Sequence, residues 1–138
     1  MALTIICVTG PGSTGKSTII RNFTAKHLKY ARVKGDVLGI FQMPRLGYVV
    51  GVSGSGDNLN FIIAGRKFLT RYDGLRVMIV ASRSDGDTLR EVQRFAGKTR
   101  SILHLIATEK FVGTMQRNAA ISAHVAQIRR LMPRSSPA

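Results

Sequence analysis

The segment Gly10-Pro11-Gly12-Ser13-Thr14-Gly15-Lys16-Ser17-Thr18 brings together the residue types that grip a phosphate chain. Glycines at 10, 12 and 15 let a loop enter conformations closed to other residues, so that backbone N–H groups can face phosphate oxygens. A helix starting at the end of that loop adds the positive end of its dipole. Lys16 can reach the β- and γ-phosphates of a nucleotide as a point charge, and the Ser17 hydroxyl suits Mg2+. Thr18 either packs in the first helical turn or touches the α-phosphate. Gly10, Gly12, Ser13, Thr14, Gly15, Lys16, Ser17 and Thr18 are therefore the candidate phosphate-binding residues. They meet the pattern G-x-x-x-x-G-K-[ST] at every defined position, which chance produces in a chain of this length with a probability of roughly half a percent.

Such a loop works only between a strand and a helix, and the hydropathy pattern supplies both. Apolar, β-branched runs at Leu3 to Val8, Val37 to Phe41, Tyr48 to Val52, Arg76 to Ala81 and Ile102 to Ala107 predict strands. Helical patterns at Lys16 to Tyr30, Asn58 to Arg71, Thr88 to Phe95 and Thr114 to Met132 alternate with them. Runs apolar throughout, such as Val77 to Ala81, suit a mostly parallel sheet covered on both faces, which makes the class α/β. Six residues, Gln42 to Gly47, separate the second and third runs, too few for a parallel crossover. They predict a hairpin, with the second strand antiparallel at an edge of a five-stranded sheet, where Pro44 is tolerated.

If the phosphate held by such a loop is to be transferred, a carboxylate is also needed, to hold Mg2+ or orient a nucleophile. The chain has seven acids, and ligands of an open α/β sheet sit beyond the carboxyl ends of its parallel strands. Asp36 precedes the antiparallel run, Asp73 precedes the fourth strand and Glu91 lies on a helix, so these three are set aside. Asp57, Asp85, Asp87 and Glu109 follow strands. Asp57 is the first choice for a metal-holding or base role, because it lies in the glycine-rich exit Gly51 to Asp57 of a strand expected beside the first. Its structural alternative is the N-cap of the next helix. Thr88-x-x-Glu91 reads as a capping box that starts the third helix. Arg83 can stabilise charge on a transferring phosphoryl group or serve as a surface cation, and Lys110 is a weaker candidate of the same kind.

The loop at residues 10 to 17 resembles the Walker A motif of the P-loop NTPases, and the order of strands and helices extends that resemblance over about the first 110 residues. It implies a three-layer sandwich, a nucleoside triphosphate with Mg2+ as ligand, and phosphoryl chemistry. The same resemblance implies an aspartate ending a Walker B strand, and here the corresponding runs end at Ser53 and at Ala81-Ser82. With no Asn-Lys-x-Asp sequence to read guanine, ATP is favoured over GTP. The chain is expected to hydrolyse the γ-phosphate. The alternatives are a kinase acting on a small molecule or nucleotide, and a nucleic-acid-binding module switched by nucleotide.

Length and composition bound these readings. With 138 residues and 44% hydrophobic content, one domain is expected over residues 1–132, followed by a disordered tail at 133–138. No apolar run approaches the roughly 20 residues of a membrane span, and the residues Met1 to Val8, without a positive n-region, do not look like a secretory signal. The single Cys7 sits in an apolar run, as a buried reduced thiol would, so a cytoplasmic setting is expected. His27, His104 and His124 show no ligand spacing, His104 reading as a core residue and the others as helix positions. A formal net charge of +14 on a surface of roughly 7,000 Å² favours polyanions, non-specific nucleic acid among them.

Overall fold

The computed structural model describes residues 3–11, 15–110 and 113–134. Five strands, β1 (Thr4–Thr9), β2 (Leu38–Gln42), β3 (Val49–Ser53), β4 (Leu75–Ser82) and β5 (Ile102–Ala107), form one sheet in the order β2-β3-β4-β1-β5. All neighbours are parallel except β2, which runs antiparallel to β3. The expected hairpin joins that pair, with Met43 N–H donating to the Tyr48 carbonyl at 2.9 Å and positive φ at Arg45 and Gly47 turning the chain.

Alternate residues of the central strands enter two cores. Ile6 and Val8 of β1 and Val77 and Ile79 of β4 pack with α1 (Lys16–His27) and α4 (Thr114–Leu131) through Ile19, Ile20, Phe23, Ile121, Val125 and Ile128. Ile5, Cys7, Met78 and Val80 meet α2 (Leu59–Leu69) and α3 (Gly86–Thr99) through Ile62, Leu69, Val92 and Phe95. Helices on both faces of the sheet make three layers, and they explain why the runs Ile5 to Val8 and Val77 to Ala81 are apolar throughout.

Strand order differs from expectation in one respect that matters for the site. β3 does not lie beside β1, because β4 lies between them and pairs with both. β4 is the longest strand, and Val77 to Ala81 are buried on both faces, a pattern that favours the middle of a sheet. β5 is an edge with Ile102 and Leu105 exposed, so His104 on it is half-buried rather than in the core. Residues 135–138 of the expected tail lie outside the described residues, whereas the Pro133 carbonyl accepts a 2.7 Å hydrogen bond from the buried Tyr48. Among the described residues no helix is long and apolar enough to cross a membrane.

Candidate functional site

The chain leaves the sheet where Gly10 N–H donates to the Ser82 carbonyl at 3.2 Å. Gly12, Ser13 and Thr14 lie outside the described residues. Gly15 then turns the backbone into α1 with φ +87°, a conformation that glycine adopts without penalty. Its carbonyl accepts the Ile19 N–H as the helix begins.

Lys16, the first residue of α1, is 6% exposed. Its Nζ donates to the Gly10 carbonyl at 2.8 Å, to Asp57 Oδ1 at 2.7 Å and to the Ser82 carbonyl at 3.1 Å. All three ammonium donors are used, and they tie the exits of β1 and β4 to the loop after β3. A buried lysine charge is tolerable here because a carboxylate and two carbonyls replace its water.

Asp57 reaches Lys16 although β4 stands between β3 and β1. The loop after β3 crosses the end of β4 at Gly56, where an added Cβ would lie 2.4 Å from the Ala81 carbonyl carbon and 2.6 Å from Ala81 Cβ. No side chain fits in that approach. Asp57 is not the cap of α2. The cap is Asn58, whose side chain accepts from Asn60 N–H at 2.8 Å, so the carboxylate of Asp57 is left for Lys16 and remains 54% exposed.

The carboxylate that meets Ser17 is Asp36, one of the three set aside. Ser17 Oγ donates to Asp36 Oδ1 at 2.5 Å, and Ser55 Oγ donates to Asp36 Oδ2 at 3.1 Å. The segment before β2 is pinned there by Gly54 N–H on the Val37 carbonyl at 2.8 Å. Arg21 adds a second clamp, donating to the Gly35 carbonyl at 2.8 Å and to Thr18 Oγ1 at 3.1 Å. The Thr18 hydroxyl thus accepts from Arg21 within the first turns of α1.

Arg83 stands at the rim, 53% exposed, with Nε 3.4 Å from the Asp57 carbonyl and 3.9 Å from Asp57 Oδ1. The capping box expected at Thr88 does not form. Gly86 already begins α3, and Thr88 is buried inside it with Oγ1 accepting the Arg83 N–H at 3.0 Å. That bond fixes the start of the loop from which Arg83 projects. Asp85 precedes α3 without a side-chain cap bond and Asp87 lies in its first turn. Both are exposed, as are Glu109 and Lys110, and none of the four joins the network around Lys16. Glu91 faces the second core, where hydrogen bonds from Arg94 and the nearby Arg66 hold its carboxyl below the ordinary range.

A cleft of about 190 Å³ lies over Lys16, Ser17, Asp36, Ser55 and Asp57, and exposed Phe61 forms one wall. It adjoins a groove of about 280 Å³ that shares Asp36, Ser55 and Phe61 and extends past Leu38 and Gly65. The donors around the cleft are carboxylate and hydroxyl oxygens, which fits Mg2+, a hard cation held by one or two carboxylates together with substrate phosphates. Among the described residues no three His, Cys, Asp or Glu side chains gather as a self-sufficient metal cage. Burial pushes the Cys7 thiol up to about 11, so it is no nucleophile at neutral pH. Compared with known proteins, the chain matches no family model, no curated protein and no solved structure.

Proposed function

We propose that the chain binds a nucleoside triphosphate with Mg2+, ATP being the first to test, and catalyses transfer of its terminal phosphoryl group to water. The observation that carries this reading is the fixed ammonium of Lys16, held at the start of α1 by two carbonyls and one displaceable carboxylate. In this P-loop reading the partly exposed Asp57 occupies the position for which an anionic ligand would compete on the lysine.

In this reading the β- and γ-phosphates replace the Asp57 carboxylate on Lys16. The released Asp57 then accepts a hydrogen bond from the attacking water, orienting it and taking its proton as the new oxygen–phosphorus bond forms and the bond from the γ-phosphorus to the bridging oxygen breaks, the nucleoside diphosphate leaving with that oxygen. Ser17 and Asp36, already in contact, would hold Mg2+, which when bound would supply charge neutralisation at the phosphate oxygens. Arg83 adds a positive charge at the mouth, opposite the charge that develops on the transferred group.

A second reading, transfer to a small acceptor, is favoured by the groove beside the cleft. Exposed Leu38 and Phe61 could wall an apolar body there, while Asp36 and Ser55 would face its hydroxyl.

The test is phosphate release from Mg·ATP combined with calorimetric binding. Lys16→Ala is expected to lose nucleotide binding. Asp57→Asn is expected to keep binding and to lose about 100-fold or more in turnover, the scale of a positioned base. Asp36→Asn is expected to weaken the dependence on Mg2+. Equal ATP affinity in Lys16→Ala and the parent chain would overturn the site. ADP formation without free phosphate, dependent on an added hydroxyl compound, would select the acceptor reading.

A further inference from the structure

The structure sorts the excess positive charge by layer. α1 with the segment to Gly35, and α4 with the residues to Arg134, form one layer. Besides Lys16 it carries Arg21, Lys26, Lys29, Arg32, Lys34, Arg117, Arg129, Arg130 and Arg134, nine cations, and no acid at all. The other layer, residues 54–74 and 83–101, has eight cations against five acids. The sequence shows these cations as dispersed, and packing two helices distant in sequence side by side brings them together.

Both helices of the acid-free layer follow parallel strands, so they run in the same direction along their shared face. At their N-terminal ends a methyl group built at Gly15 would lie 3.7 Å from the Arg117 guanidinium. At their C-terminal ends His27 is held below its ordinary value, first by burial and then by Lys26, Arg129 and Lys29. Between the helices runs an open groove of about 420 Å³ lined by Asn22, Ala25, Lys26, Ser122 and Val125. One cation, Lys26, lies on its lining beside polar Asn22 and Ser122 and apolar Ala25 and Val125. The 18 residues of α4 extend about 27 Å, the length of about eight base steps.

We infer that the α1–α4 face is a binding surface for the phosphate backbone of double-stranded nucleic acid, separate from the nucleotide cleft. The lack of acids on these segments makes the face attractive to a polyanion away from its N-terminal end, where Asp36 meets Ser17. Arginines match phosphate oxygens in a bidentate way, and exposed Asn22, Asn118 and Ser122 add uncharged donors of the kind that contact phosphates. A lipid surface fits less well. The exposed large apolar residues of this layer, Tyr30, Val33 and Met115, stand at its two ends, without the continuous apolar stripe that a membrane-lying helix presents. Among the described residues of this layer the exposed aromatic is Tyr30 at one end rather than a row of stacking rings, so the binding is to backbone charge rather than to base sequence.

The test is fluorescence anisotropy with a short fluorescein-labelled duplex DNA, repeated with duplex RNA, over about 50 to 200 mM salt. The quadruple variant Lys26→Gln, Lys34→Gln, Arg130→Gln, Arg134→Gln removes four exposed charges from this face. Lys67→Gln, Arg71→Gln, Arg90→Gln, Lys98→Gln removes four exposed charges from the other layer, leaving the same net charge. The first is expected to weaken duplex binding at least tenfold and to lower the salt slope by about one for each phosphate that is no longer neutralised. The second is expected to change affinity less than threefold. Equal weakening by both, no binding at the lowest salt, or tighter binding to phosphatidylserine vesicles than to duplex would each overturn the inference. Acetylation of the unmutated protein gives a second reading that does not depend on how the variants fold. Duplex DNA is expected to shield Lys26 and Lys29 and to leave Lys67 and Lys98 reactive, and the opposite pattern refutes the face.

Discussion

Gly56→Ala isolates the crossing on which the site depends. The added methyl would stand 2.4 Å from the Ala81 carbonyl carbon and 2.6 Å from both Ala81 Cβ and the Ala81 oxygen, whereas comfortable carbon–carbon separations begin at about 3.5 Å. The loop must therefore lift by about 1 Å. The obstacle is the backbone of β4, paired on both sides to β1 and β3, so it cannot rotate away as a side chain could. Overpacking of this kind costs about 3 kcal/mol, the upper end of its usual range. The loss of unfolded-state freedom on replacing glycine offsets about 0.5–1 kcal/mol, leaving a net destabilisation of about 2 kcal/mol. For a chain of this size that is a fall in Tm of about 7 °C. The matched control is Gly97→Ala in α3, where a Cβ meets nothing within 4 Å and helix propensity predicts a gain of about 0.5–1 kcal/mol. Urea unfolding of the two variants beside the parent chain measures both. Since the lifted loop also carries Asp57 away from Lys16, Gly56→Ala is further expected to lower turnover. A Gly56→Ala protein as stable as the parent would show that the loop does not cross β4 as described, and the placement of Asp57 at Lys16 would fall with it.

Two titrations follow from buried groups. The pKa of His27 lies below its ordinary 6.5 in the folded chain, so above that pH it is neutral in both states and contributes no slope. As pH falls from about 6.5 toward the lower folded value, the unfolded chain takes up the proton first and stability declines. His27→Gln is expected to flatten that limb in chemical denaturation between pH 7 and 5, and an unchanged limb would assign it elsewhere. Cys7 is fully buried, with its thiol pushed up to about 11. A disulfide reagent is therefore expected to react at the rate of unfolding rather than at that of an exposed thiol, and immediate stoichiometric labelling of the native protein would refute its burial.

Much of the scaffold was legible because local pattern controls it. β5 falls on the apolar run Ile102–Ala107 and α4 on the period of Ile121, Val125 and Ile128. The six residues after β2 were too short for anything but a hairpin. The glycine-rich exit of β3 puts Asp57 among the candidate site residues, for a metal-holding or base role with a helix cap as the alternative, but says nothing of its contact with Lys16. The expectation put β3 next to β1, and nothing in an apolar run says which parallel neighbour it takes. Asp57 arrives by way of Gly56 instead, and that glycine reads in the sequence only as one of several in a flexible exit loop. The capping box read at Thr88 fails for a local reason, a bond spanning only five residues. Its hydroxyl found the Arg83 N–H while the helix began upstream at Gly86.

Asp36 is the instructive omission, because the premise used to set it aside was correct and its consequence was reversed. In a parallel sheet the chain enters each strand at the end away from the ligand, so a residue before a strand is remote from it. β2 is antiparallel, which inverts that rule. Leu38, its first residue, pairs with Ser53, the last residue of β3, and so the residues before β2 stand at the carboxyl end of the parallel strands. That is the end where α1 begins. Gly54 N–H on the Val37 carbonyl and Arg21 on the Gly35 carbonyl then hold Asp36 against Ser17 and Ser55. The hairpin that the six-residue spacing predicts was therefore itself the signal. Once β2 is known to run backwards, an acid two residues before it belongs to the same rim as Lys16. Carboxylates that face this rim are then to be sought on the approach to the antiparallel strand as well as on the exits of the parallel ones.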